Sequence, residues 1–146
     1  MSGADEQVLA ERVVAAMMAR DAFSQWLGIE VVEVKPRAAT IRLTVRSDMV
    51  NGFGVCHGGI AFSLADSALA FASNTHGRVT MSIENAITYP KKIQVGDVLT
   101  AAAAEESASN RLGFFRVAVT RGDDVVALFR GTVFKTSQDF FSTSGE

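Results

Sequence analysis

Between Met49 and Gly77 the sole formally charged residue is Asp66. It falls in the most apolar helical pattern of the chain. An unpaired carboxylate is expensive to bury, and Asp is a poor helix former at interior positions, so its surroundings must compensate. Two readings stand side by side. Asp66 sits on an exposed stripe or caps a break in the helix; or it is a catalytic carboxylate in a cleft, its pKa open to tuning by burial and neighbours. Upstream, His57-Gly58-Gly59 opens the same helix. Free N–H groups at a helix N-terminus bind anions and stabilise a developing oxyanion, and glycine lets a substrate carbonyl come close. Gly-Gly at a helix start also serves as a plain turn. His57 either orients the loop by hydrogen bonding or touches a substrate oxygen.

Spacing constrains any joint action. Gly58 and Asp66 are eight residues apart, or ~12 Å along a helix at ~1.5 Å per residue. One chain does not easily bring both to the same carbonyl carbon. Two such helices packed antiparallel across a two-fold axis would carry one chain's Gly58 towards the other's Asp66.

The elements that must position these groups follow from periodicity. Residues from about Asp5 to Leu27 read as helix, with Val8, Leu9, Val13, Ala16 and Met17 at helical spacing and Gly28 as terminator. Ile29 to Val34 reads as a strand, Pro36-Arg37 as a turn, and Ile41, Leu43 and Val45 alternate with polar neighbours as a half-buried strand. Asp48 to Gly59 is a glycine-punctuated loop. Gly58 to about Thr75 is helical and apolar on nearly every side, which predicts burial all round. Thr80 to Tyr89, Val98 to Glu105, Phe114 to Arg121 and Val125 to Phe134 read as strands. The pattern predicts an α+β fold, one antiparallel sheet curled around the central helix. One sheet covers one side of that helix, and a second copy of the chain is the simplest cover for the other.

Composition narrows the classes. The chain has 146 residues, 48% hydrophobic and 21% charged, the profile of one packed domain (1–146) with no low-complexity linker. One cysteine, Cys56, forbids an internal disulfide, and with two histidines it makes a zinc site improbable. A net charge of −2 argues against nucleic acid as a partner. The start carries Asp5-Glu6 where a secretory signal would be basic, and no stretch reads as a membrane span, so a cytoplasmic location is expected.

Asn51-Gly52, Cys56-His57-Gly58-Gly59, Phe62-Ser63-Leu64-Ala65-Asp66 and Ala72-Ser73-Asn74 closely resemble the signature of hotdog-fold thioesterases of the phenylacetate-pathway (PaaI-like) type. Ala127-Leu128-Phe129-Arg130-Gly131 is similar to that branch's last strand. The resemblance covers about residues 8–136. It implies a hotdog fold, a dimer made by joining two sheets and often a homotetramer, and hydrolysis of acyl-CoA thioesters, aryl or phenylacetyl among them, with no metal or cofactor. Carried over by position, Asp66 would be general base or nucleophile, and the Gly58 N–H would polarise the thioester carbonyl. Asn51 and His57 would place the thioester or the attacking water, and Ser82 matches a water-orienting serine. Gly59 and Phe53 would lie against the substrate, while Lys91, Lys92, Arg111 and Lys135 are candidate contacts for the CoA phosphates or ordinary surface charges. Phe53 and the tail pair Phe140-Phe141 depart from the usual pattern; they either shape the acyl pocket or simply pack.

Other classes fare less well. Cys56 beside His57 suggests a thiol nucleophile, but a cysteine in an apolar glycine-rich loop reads better as packing. No Gly-x-Ser-x-Gly elbow, Walker loop or dinucleotide fingerprint occurs. An enoyl-thioester hydratase or dehydratase would use another acid–base set, and a non-catalytic acyl-CoA-binding module would bind without turnover.

Overall fold

A computed structural model describes residues 1–142. The chain runs α1 (Gly3–Arg20), α2 (Ala22–Leu27), β1 (Glu30–Lys35), β2 (Ala38–Thr44), a short turn of 3-10 helix (Ser47–Met49), α3 (Gly58–Asn74), β3 (Arg78–Thr88), β4 (Val98–Ala108), β5 (Leu112–Arg121) and β6 (Asp124–Asp139). The strands form one six-stranded sheet in the order β1-β2-β4-β5-β6-β3, every neighbour pair antiparallel. The expected fold is present: a curled sheet holds one long helix, the hotdog architecture. Its edges are β1 and β3.

Alternation explains the grip of sheet on helix. In β2, Ile41 and Leu43 are buried while Arg42 and Thr44 are exposed. Those two buried side chains, with Leu99, Ala101, Val117 and Phe129 from β4, β5 and β6, share one core with Leu64, Ala68, Leu69 and Phe71 of α3. Each large side chain so buried contributes about 1.5–3 kcal/mol relative to exposure. At its C-terminal end α3 is pinned to β3 by Asn74, whose amide donates to the Thr80 carbonyl (3.1 Å) and accepts from the Thr80 N–H (2.9 Å).

Three expectations need revision. The N-terminal helical segment is two helices, because Asp21 leaves helical geometry (φ −90°, ψ 86°) and caps α2 through the Ser24 N–H at 2.9 Å. Helix α3 is not buried all round: eleven of its 17 residues are buried, and Gly59, Phe62, Ser63, Asp66 and Ala70 form a stripe that is not. Strand β6 runs on to Asp139, and just beyond it the Phe140 N–H donates to Gly77 O (2.7 Å), continuing the line of the β3–β6 ladder, while Arg12 lies 4.5 Å from the Phe141 ring centre.

Candidate active site

The N-terminus of α3 is built by its own loop. His57 is the N-cap, extended at φ −61° and ψ 134°, and its Nδ1 accepts the Gly59 N–H at 2.9 Å. An accepting Nδ1 carries no proton, which leaves the ring N–H on Nε2, a donor on an exposed side chain. The Gly58 N–H has no partner among the described residues, which leaves it open to an oxygen ligand. Tyr89, just beyond β3, donates its hydroxyl to the Gly58 carbonyl at 2.8 Å, and a Cβ on Gly58 would stand 3.1 Å from that hydroxyl oxygen. Asn51 shapes the preceding loop: its Oδ1 accepts from the N–H groups of Phe53 (2.9 Å) and Val55 (3.3 Å). Phe53 is 92% exposed at the tip.

A depression of about 350 Å³ opens beside this helix end, lined by Val55, Cys56, Gly58, Tyr89, Lys91 and Lys92 among others. Burial pushes the Cys56 thiol up to about 11, so it is protonated at neutral pH and fits the packing reading rather than the nucleophile. The basic candidates divide. Lys91 is paired with Asp124 at 2.7 Å, and Lys92 has no ion pair among the described residues. Arg111 and Lys135 meet at the far end of β3, where Lys135 faces Thr80 and its N–H donates to Arg111 O. One chain therefore does not gather all four around one ligand. Among the described residues there is no cluster of three metal-binding side chains, and no helix is long and apolar enough to cross a membrane.

Asp66 is half-buried on the open stripe of α3. Burial holds its carboxyl above the usual range, and the negative charge of Asp21 adds to that. Facing it from β3 is Asn85, whose Nδ2 donates to Asp66 Oδ1 and to Ser82 Oγ, each at 3.4 Å. Residues 82 and 85 would point to opposite faces of a regular strand. A bulge reverses this: Ser82 pairs with Val133 and Glu84 with Thr132, leaving Ile83 extra, so Ser82 and Asn85 share one side, with Asn85 half-buried and Ser82 exposed.

Strand β3 runs antiparallel to α3. Tyr89 lies at the level of Gly58, Asn85 at Asp66 and Thr80 at Asn74. The chain thus links Asp66 to Ser82 through Asn85, and sets His57, Gly58 and Gly59 at the start of α3 with Asn51 in the loop before it, as two separate groups. Sequence reading missed Asn85, Tyr89 and Asp21. Tyr89 could have been found as the aromatic that ends the segment Thr80 to Tyr89; Asn85 could not, because its alignment with Ser82 depends on the bulge.

Comparison with known proteins agrees with this architecture. The family model described as "Thioesterase superfamily" matches residues 53–128. The chain is 37% identical to a "Putative esterase" of Archaeoglobus fulgidus over 98% of its own length and 94% of that protein. It is 36% identical to the "Acyl-coenzyme A thioesterase PaaI" of Escherichia coli K12, covering 80% of the chain and 84% of the relative. The solved structure of the E. coli PaaI protein from the phenylacetic acid degradation operon superposes with a TM-score of 0.88 at 31% identity, over 91% of this chain and 97% of that one. A variant of the phenylacetic acid degradation protein PaaI from Thermus thermophilus gives 0.77 at 37% identity, over 80% and 100%.

Proposed function

We propose that this chain, which belongs to the thioesterase superfamily, hydrolyses acyl-CoA thioesters to the free acid and CoA, with aryl or phenylacetyl groups as the acyl class. The kinship to an enzyme named acyl-coenzyme A thioesterase supports the reaction, and the naming of structural relatives after phenylacetic acid degradation supports the acyl class. The observation that carries the site is the occurrence on one helix of a Gly58 N–H that has no partner among the described residues and a half-buried Asp66 on a stripe that those residues leave uncovered.

The catalytic unit is a dimer. Strand β3 is a sheet edge, and an edge leaves backbone N–H and C=O groups open to pairing. Antiparallel pairing of β3 with the partner's β3 lengthens both sheets side by side. Because β3 runs against α3, a register that sets position 89 near position 85 of the other chain carries Asp66 of one protomer towards Gly58 of the other. Two such dimers forming a tetramer is the further assembly expected of this branch.

In the composite site the Gly58 N–H and the positive end of α3 polarise the thioester oxygen and stabilise the charge that develops there. The Nε2–H of His57 and the NH2 of Asn51, which has no partner among the described residues, add donors at the same helix end. Asp66 from the partner removes a proton from water as it attacks the carbonyl carbon; or the Asp66 carboxylate itself attacks, giving an acyl–Asp66 anhydride that a water then hydrolyses to regenerate the carboxylate. Ser82 orients the water. The C–S bond breaks, sulfur leaves as thiolate and is protonated, and the acyl group leaves as acid. Thioesters are electrophilic enough for a carboxylate to serve without a metal. Lys92 on one chain, with Arg111 and Lys135 brought across by the partner, supplies charge for the CoA phosphates.

The test is thiol release from a panel of aryl-, phenylacetyl- and fatty-acyl-CoA thioesters. Turnover that falls about 10²–10⁴-fold in Asp66→Asn is the expected result. Binding without release by the native protein would make it a binding module instead. Retention of most activity by a folded Asp66→Asn would remove Asp66 from the chemistry. Oxygen-18 labelling in a single turnover separates attack by water from attack by the carboxylate.

A further inference from the structure

The amide of Asn85 is held in one orientation by what surrounds it. Its Nδ2 faces two acceptors, Asp66 Oδ1 and Ser82 Oγ, at 3.4 Å each. Its Oδ1 is buried and has no hydrogen-bond partner among the described residues. Flipping the amide would aim that oxygen at the Asp66 carboxylate and bury the NH2 without an acceptor, which is worse on both counts. The oxygen sits in a notch made by Gly131, the residue paired with Asn85 on β6: a Cβ there would lie 2.8 Å from Asn85 Oδ1 and 2.5 Å from Leu69 Cδ2. A buried acceptor left unsatisfied destabilises a fold by about 1–3 kcal/mol, and an apolar side chain facing Gly131 would avoid it. The amide is therefore placed for what its NH2 does.

We propose that Asn85 is a positioning residue for Asp66 and Ser82. The proposal rests on the reading of Asp66 as the base or nucleophile. One N–H anchors Asp66 Oδ1, leaving Oδ2, which has no partner among the described residues, as the reacting oxygen. The other N–H occupies a lone pair of Ser82 Oγ, so the serine hydroxyl proton is free to be donated. A single amide thus fixes which carboxylate oxygen reacts and which way the serine hydrogen bonds.

Asn85 also opposes the two influences that favour the protonated acid. Burial and the charge of Asp21 push the Asp66 carboxyl up, whereas an N–H donated to the carboxylate stabilises its charged form. Within one chain few other groups enter this balance; in the proposed dimer the partner's His57 and the positive end of its α3 also face Asp66. The buried residues of α1 are Ala10, Val13 and Val14, and the core residues of β2, β4, β5 and β6 under the helix are apolar. On α3 itself no other charged residue occurs, and α2 contributes only its capping Asp21.

The experiment compares the native enzyme with Asn85→Ala and Asn85→Asp on one thioester across pH. We expect Asn85→Ala to lower kcat by about 10- to 100-fold, the scale of a misplaced reacting group, with KM little changed. The acid limb of kcat should move to higher pH in Asn85→Ala and further in Asn85→Asp, which sets a second carboxylate beside Asp66. The melting temperature of Asn85→Ala should stay level or rise, since an unsatisfied acceptor is removed. Loss of melting temperature with an unmoved pH profile would make Asn85 structural and overturn the proposal; so would native kcat and profile in both variants. A native enzyme without turnover fails the thioesterase reading itself, a distinct result.

Discussion

A carboxylate whose pKa is raised leaves a trace in stability as well as in rate. Asp66 binds its proton more tightly in the folded chain than in the unfolded one, because burial and Asp21 disfavour its charge. Above both pKa values the charged side chain therefore destabilises the fold; below both it is neutral in either state and contributes nothing. Asp66→Asn should melt higher than the native protein at neutral pH, and the difference should close as the pH falls into the carboxylate range. Thermal unfolding of both proteins at several pH values measures this, and a difference that widens on acidification would contradict the raised pKa. His57 poses a separate question, since its Nδ1 caps α3 while its Nε2–H faces out. Removing an N-cap costs about 0.5–2 kcal/mol. His57→Ala should lose both stability and turnover, whereas His57→Ser, a competent cap without an imidazole, should recover the melting temperature and leave turnover low. Recovery of both would reduce His57 to a cap.

The elements show how far the residue types alone could lead. Helix α3 was readable from its apolar run, its opening at His57-Gly58-Gly59 and the isolation of Asp66, because those signals are local. The strands after Gly77 were readable from alternation and turn residues for the same reason. The break at Asp21 was not, since Ala15–Arg20 and Ala22–Leu27 each favour helix and only a cap between them separates the two. The open stripe of α3 was not either: periodicity marks a face as apolar without saying which neighbour covers it. The bulge at Ile83 is the plainest case, for it exists only in the pairing of β3 with β6. It turns Ser82 and Asn85 to one side, and β6 makes room with Gly131, whose neighbours leave no space for a methyl group. Gly131→Ala should accordingly destabilise the fold by about 1–3 kcal/mol, as overpacking does, and displace Asn85 from Asp66. Chemical denaturation gives the first quantity and kcat the second. A variant as stable and active as the native protein would show the notch to be slack.

At the level of the assembled molecule, two unfinished features point the same way. Among the described residues the helix stripe bearing Asp66 lacks cover, and the β3 edge beside it is unpaired over 11 residues. The proposed dimer, a second copy joined through β3, would answer both and would make each active site from two chains. That arrangement has an arithmetic consequence. Asp66→Asn leaves a protomer with a sound Gly58 end, and Gly58→Val, which would press on Tyr89, leaves one with a sound Asp66. In a mixed dimer one site receives both defects and the other receives none. Unfolded and refolded together in equal amounts, the two inactive proteins should form mixed dimers as about half of the population, each with one of two sites intact. About a quarter of native activity should return. If Gly58 and Asp66 of the same chain served one site, every site in a mixed dimer would carry one defect and nothing would return. Thiol release measured after co-refolding, against each variant refolded alone, decides between the two arrangements.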